Sequence, residues 1–170
     1  MIKKLLLLGV LMNGKMHGYR LNEYVKHTMN FYKDLTKSAA YYILDQLEKD
    51  GYVTYATERE GKRPERRIYE ITTKGKNHFL ELLRECLGNY TPTSFGDDIG
   101  AAFIGRLPAE EVRNLLVNKR RKIQDQIEMY KGVGDHEGNL QYVINHNIAH
   151  LKADISWVDE ILKNIGEENQ

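Results

Sequence analysis

The chain has very little cysteine. Cys86 is alone among 170 residues, which rules out an internal disulfide framework and points to a reducing compartment. A lone cysteine within an apolar helical pattern reads as core. Long hydrophobic runs are also scarce. The longest apolar stretch lies at the N-terminus, where Lys3 and Lys4 precede Leu5 to Val10. It resembles the opening of an export signal, but it is too short to span a bilayer and has no small-residue cleavage pattern. It is expected to be the buried first helix of a cytoplasmic protein with no membrane partner. Chemistry-bearing motifs are missing too. The sequence has no phosphate loop, no nucleophile elbow and no paired acids in a supporting context, so no enzyme and no cofactor are expected. His146 and His150 sit one helical turn apart without a third ligand at matching spacing. They read as interface or surface polar contacts, not as a metal site.

Net charge is small as well, at +1, but it is unevenly divided. Residues 1–90 carry 16 basic and 11 acidic residues, or +5; residues 91–170 carry 9 and 13, or −4. A basic first half beside an acidic second half fits a nucleic-acid-contacting module next to one with another task. The length allows one ordinary domain or two small ones.

The pattern divides at the turn-rich segment 88–98. We expect one domain over 1–88 and a second over 96–170. Helices are expected over 2–12 and from His17 to about Asn30. A third is capped by Thr36, runs to about Lys49 with Ile43, Leu44 and Leu47 as core, and is stopped by Gly51. Strands follow at Tyr52–Thr57 and Arg67–Thr72, joined by a charged hairpin tip that turns at Gly61. Thr73 is expected to cap a fourth helix through Leu87. The order of helix, strand, basic tip and strand describes a winged helix. The fold class is therefore mainly α with a small β-hairpin wing. It comprises an N-terminal winged helix-turn-helix and a C-terminal long-helix dimerisation domain.

The C-terminal part reads as a short helix near 99–104, a long helix from Pro108 to about Lys131, and a last long helix. In the last one, Ile144, Ile148, Leu151, Ile155, Val158, Leu162 and Ile165 follow heptad spacing. Two such helices form a thin layer, so a second copy of the chain is the expected cover. An internal bundle is the alternative. Leu5 and Leu6, on a helix apolar nearly all round, join the expected dimerisation set, since such a helix needs cover from its own domain or from a partner. Phe103, Tyr130, Tyr142 and Trp157 are the aromatic residues that could line an effector pocket. The run Lys119 to Lys122 reads as a solvated helix face.

In a winged helix the start of the third helix enters the major groove. Lys37, Ser38, Tyr41 and Tyr42 are the candidates there. Arg59, Lys62, Arg63, Arg66 and Arg67 on the wing can reach phosphates or a minor groove. Interspersed Glu58, Glu60 and Glu65 leave an ion pair open for at least one of these arginines.

This region resembles the PadR family of transcriptional regulators. The likeness rests on the apolar first helix with Gly14 and His17-Gly18-Tyr19. It continues through Ser38, Tyr41, Leu44, Leu47 and Asp50-Gly51, then Tyr69, Ile71, Thr72 and Gly75. It covers roughly residues 2–87 and is weaker beyond, where Trp157 looks like the family's C-terminal tryptophan. The C-terminal part looks closer to the long-tailed, phenolic-acid-responsive members. Tyr42 departs from the family, which usually has proline after the recognition-helix tyrosine. The resemblance implies a homodimer on an inverted-repeat operator in double-stranded DNA. It also implies repression relieved by a small molecule, perhaps aromatic, or by another signal, and it adds His17 and Tyr19 to the DNA-contacting set. A winged helix serving protein–protein contacts, and a regulator with no small-molecule effector, are the alternatives.

Overall fold

A computed structural model of the chain describes residues 1–28, 35–59, 65–132 and 138–167. It divides into two compact units, Met1–Pro92 and Thr93–Gln170.

The first unit opens with α1 (Ile2–Leu11). Leu7, Leu8, Val10 and Leu11 are buried, and Leu5 and Leu6 pack half-buried against the same core. An all-apolar helix needs cover on more than one side, and α1 finds it against α3 (Lys37–Lys49) and α4 (Thr73–Gly88). Strands β1 (Met16–His17), β2 (Val53–Glu58) and β3 (Arg66–Ile71) form an antiparallel sheet in the order β1-β3-β2. Met16 opposes Tyr69, and Tyr55 opposes Tyr69 from the other side. The two-residue β1 carries no alternation for sequence reasoning to find. It leads straight into α2 (Gly18–Thr28).

Helix α3 has the ends its sequence promised. The Thr36 hydroxyl accepts from the Ala39 amide at 3.3 Å, a cap worth about 1 kcal/mol. At the other end Gly51 adopts φ +75°. The Gly51 amide donates to the Glu48 carbonyl at 2.9 Å and the Tyr52 amide to that of Leu47 at 2.8 Å. This is a Schellman closure, which needs a left-handed residue and so favours glycine.

The corner between β3 and α4 is the tightest in the unit. The residue capping α4 is Thr72, not Thr73 as expected from sequence. Its hydroxyl accepts from the Gly75 amide at 3.0 Å and lies 2.8 Å from the Gly51 carbonyl, to which it donates. The Thr72 amide donates to the Tyr52 carbonyl at 3.0 Å. Thr72 wins the cap because it has extended geometry and still reaches back to the α3–β2 turn. A Cβ at Gly75 would collide with the Tyr52 carbonyl oxygen.

The second unit holds α5 (Asp97–Ala102), a 3-10 turn (Ile104–Arg106), α6 (Ala109–Gly132) and α7 (Leu140–Glu167). Pro108 precedes α6, and its carbonyl accepts the Val112 amide at 3.1 Å. Helices α6 and α7 pack on each other, with Val112 and Ile127 buried on one and Ile144 and Val158 on the other. This corrects the heptad reading in part. Ile144 and Val158 are covered within the chain and are not free to meet a second subunit. Ile148, Leu151, Ile155, Leu162 and Ile165 are only half-buried. Arg120 reaches across to Asp159 at 2.7 Å. Among the described residues, no helix is long and apolar enough to cross a membrane.

Replacing Gly75 with alanine is expected to destabilise the first unit by about 3 kcal/mol, because a backbone carbonyl must move to admit the methyl group. Gly88, with open space around it, is the control: Gly88→Ala should change stability by less than about 0.5 kcal/mol. Urea unfolding of both variants checks this.

Candidate nucleic-acid interface

Helix α3 has one buried side, formed by Ala40, Leu44 and Leu47. At 100° per residue this places Ser38, Tyr42 and Asp45 on the opposite side. Tyr42 is 67% exposed, and Lys37 and Ser38 are exposed at the first turn. Ser38 Oγ lies 3.2 Å from Thr36 Oγ1, so the hydroxyl is held beside the helix start. Lys37, Ser38 and Tyr42 thus present an ammonium, a hydroxyl and a phenol to solvent together.

Tyr41 is different. It is half-buried, and its ring lies against Gly18 at the start of α2. A Cβ at position 18 would come within 2.8 Å of that ring. A side chain at the glycine of the His17-Gly18-Tyr19 element would therefore push the Tyr41 ring from its place. A groove of about 540 Å³ opens beside it, lined by Gly18, Tyr19, Tyr41, Glu65, Arg66 and Arg67. Arg66 stacks over the Tyr19 ring at 5.4 Å. Two phenols and the Arg66 guanidinium in one open groove can contact a phosphate backbone through charge and hydrogen bonds.

The remaining wing and strand residues divide by environment. Arg59 is exposed. Lys62 and Arg63, the expected tip contacts, lie outside the described residues. His17 is half-buried, with its ring 5.6 Å from that of Tyr19 and its Nε2 3.8 Å from a Glu58 carboxylate oxygen. Its Nδ1 is buried without a hydrogen-bond partner among the described residues.

Arg67 is held by the protein itself. Its guanidinium donates to Asp45 Oδ1 of α3 at 2.8 Å and stacks over the Tyr55 ring of β2 at 4.4 Å. Among the described residues, Arg67 therefore pairs with an aspartate of α3. Sequence reasoning missed Asp45; its spacing from Ser38 and Tyr42 was the available signal. Beneath lies Tyr69, wholly buried. Burial pushes the Tyr69 phenol above its ordinary pKa, and the neighbouring Arg67 guanidinium opposes that shift. Arg67 is in turn held above its usual value, chiefly by Tyr69 and further by Tyr55 and Asp45. The Tyr69 hydroxyl makes no hydrogen bond of ordinary geometry among the described residues, yet it lies close enough to the Arg67 guanidinium for each to shift the other.

The second unit contains a separate cavity of about 470 Å³. Of the four expected pocket aromatics, Phe103 and Trp157 line it together, with Ile104, Leu107, Leu116 and Lys119 among their neighbours. The Lys119 ammonium sits 5.0 Å above the Trp157 ring and pairs with Asp97. Tyr130 and Tyr142 are not part of this lining; Tyr142 is 73% exposed. His146 and His150 face each other, with Nε2 atoms 3.1 Å apart. Among the described residues, no group of three or more histidine, cysteine or acidic side chains could hold a metal ion.

The fold is shared with known proteins. Residues 7–81 match the model of the transcriptional regulator PadR-like family. The negative transcriptional regulator PadR of Bacillus subtilis is 26% identical, and the match covers 98% of this chain and 99% of that protein. The crystal structure of B. subtilis PadR in complex with operator DNA superposes with a TM-score of 0.82 at 22% identity, covering 97% of this chain and 99% of that one. The structure of the same protein in complex with p-coumaric acid gives 0.79 at 20% identity, covering 98% and 99%.

Proposed function

We propose that the chain is a regulator of the PadR-like kind, whose family model its residues 7–81 match, and that it acts as a homodimeric repressor. It binds an inverted-repeat operator in double-stranded DNA and is released by a small aromatic acid. One observation carries the DNA-binding part. The first turns of α3 present Lys37, Ser38 and Tyr42 to solvent, beside a groove that holds Tyr19, Tyr41 and Arg66. A helix with that face fits the major groove, and the arginine and lysine fit the adjacent phosphates. Arg59 lies further along the wing, and His17 acts behind Tyr19 by packing on it. A role on DNA supports a cytoplasmic location.

The dimer is supported by apolar surface in the second unit. Ile99, Phe103, Leu115 and Met129 are each more than half exposed, which is costly for an isolated soluble chain. The half-buried members of the α7 stripe, Ile148, Leu151, Ile155, Leu162 and Ile165, can widen such a contact. The effector reading is supported by the cavity between Phe103 and Trp157. Its volume lies within the range of ordinary ligand sites. Its apolar walls suit an aromatic ring, and a ligand carboxylate would compete with Asp97 for Lys119. B. subtilis PadR, whose structure with p-coumaric acid is similar in fold, supplies the ligand to try first.

Three measurements test the reading. Lys37→Gln should weaken binding to a duplex selected in vitro by the wild-type chain and lower the log–log salt slope by about one. An unchanged slope would remove Lys37 from the interface. Sedimentation at micromolar concentration should give a dimer, and a monomer there would contradict the proposed assembly. Added p-coumarate should release the wild-type protein from that duplex. Trp157→Ala should still bind the duplex but need at least about tenfold more ligand for release; release at the wild-type concentration would exclude the cavity as the effector site.

A further inference from the structure

Among the described wing bases, Arg67 stands apart because its charge is answered inside the unit. Three elements meet on it. Asp45 comes from α3, at 2.8 Å. Tyr55 comes from β2, under the guanidinium at 4.4 Å. The buried Tyr69 comes from β3 itself, with its ring 5.8 Å from that of Tyr55. Arg67 and Tyr69 are two residues apart on one strand and so share a face of the sheet. Tyr55 opposes Tyr69 directly and lies diagonal to Arg67, within reach of a long side chain. A planar guanidinium suits this position because it can stack on a ring and donate to a carboxylate at once, which a lysine ammonium does less well.

The position of Asp45 sharpens the point. It lies one turn beyond Tyr42, on the side of α3 that faces away from the core. An unanswered carboxylate there would repel DNA. With Arg67 beside it, the pair is neutral, and the helix is tied to the strand that returns from the wing tip. Both side chains are nearly half exposed, so the pair contributes little to global stability. Its effect is on geometry: the buried residues Ala40, Leu44 and Leu47 fix which side of α3 faces in, and the strut limits how α3 moves against β3.

We infer that Arg67 is a positioning residue, which together with Asp45 and Tyr55 sets the recognition helix against the tip-ward end of the wing strands, and is not a phosphate contact. The inference rests on the DNA-binding reading above. A direct phosphate contact weakens binding to all sequences alike, whereas a misplaced helix loses mainly the sequence-specific part.

The test uses the full chain, a duplex it selects from a random library, and a scrambled duplex of equal length. Arg67→Gln leaves the Asp45 carboxylate unanswered, which repels both duplexes alike, so the selected duplex should be weakened about fivefold more than the scrambled one, the excess coming from the misplaced helix. In an Asp45→Asn background, adding Arg67→Gln should cost nothing further, since the strut is already gone. Thermal unfolding of each variant confirms that the fold is intact, and Arg67→Lys serves if the glutamine variant is unstable. Lysine keeps the charge, so a phosphate contact predicts near-normal binding and the strut predicts the specific loss. Equal weakening of both duplexes, persisting in the Asp45→Asn background, would overturn the inference alone. Failure of the wild-type chain to select any duplex would instead overturn the DNA-binding reading on which it rests.

Discussion

The burial of one side of α3 is the constraint on which the first unit depends. Ala40, Leu44 and Leu47 are inserted into a core that also contains Leu7, Leu11, Val53 and Tyr69. Each fully buried leucine or valine contributes about 1.5–3 kcal/mol relative to its exposed state, so rotating the helix would forfeit several such terms at once. With rotation fixed, the outward side chains follow from helical geometry: Ser38, Tyr42 and Asp45 face solvent, and Tyr41 lies at the flank against Gly18. The proposed recognition surface is therefore a consequence of hydrophobic packing behind it. Changes in that core should be felt at Tyr42 without touching it.

Closure at both ends of the α3–β2–β3 segment carries the same orientation into the wing. The Schellman turn at Gly51 sets where β2 starts. Thr72 and Gly75 then clamp the far end of β3 onto the Gly51–Tyr52 backbone. Two glycines serve different purposes here, one for its left-handed conformation and the other for the absence of a side chain. The family motif that ends in Thr72 and Gly75 has a mechanical explanation in this corner, independent of DNA.

Charge is distributed in the same economical manner. The surplus of basic residues in the first half is not all available to a partner, because Arg67 is answered by Asp45 and Lys15 by Glu70. In the second unit Lys119 and Arg120 are answered by Asp97 and Asp159, so half of the basic run from Lys119 to Lys122 is held in ion pairs. Exposed pairs of this kind stabilise by only about 0–1 kcal/mol; they matter more for where an unpaired cation remains.

Much of this was legible in the sequence alone. The Thr36 cap, the Gly51 stop, the alternating strands and the helical periods are local signals. Each depends on residues a few positions apart, which is why the element order could be read without coordinates. The dimer argument from heptad spacing was only partly sound, because a periodic stripe states that a helix is covered without naming the cover. Ile144 and Val158 pack within the chain, where α6 lies against α7. The capping residue of α4 and the strand Met16–His17 were likewise beyond reach, the first decided by a contact to a turn twenty residues earlier and the second too short for a pattern. Phe103 and Trp157, more than fifty positions apart, share a cavity that excludes Tyr130 and Tyr142. Asp45 meets Arg67 across 22 positions. The sequence by itself determined the elements, their order and the chemistry carried on α3 and the wing, because those follow from local sterics and periodicity. Only the tertiary structure decided which charges are answered and which aromatics meet, because those depend on distances set by packing between elements remote in the chain.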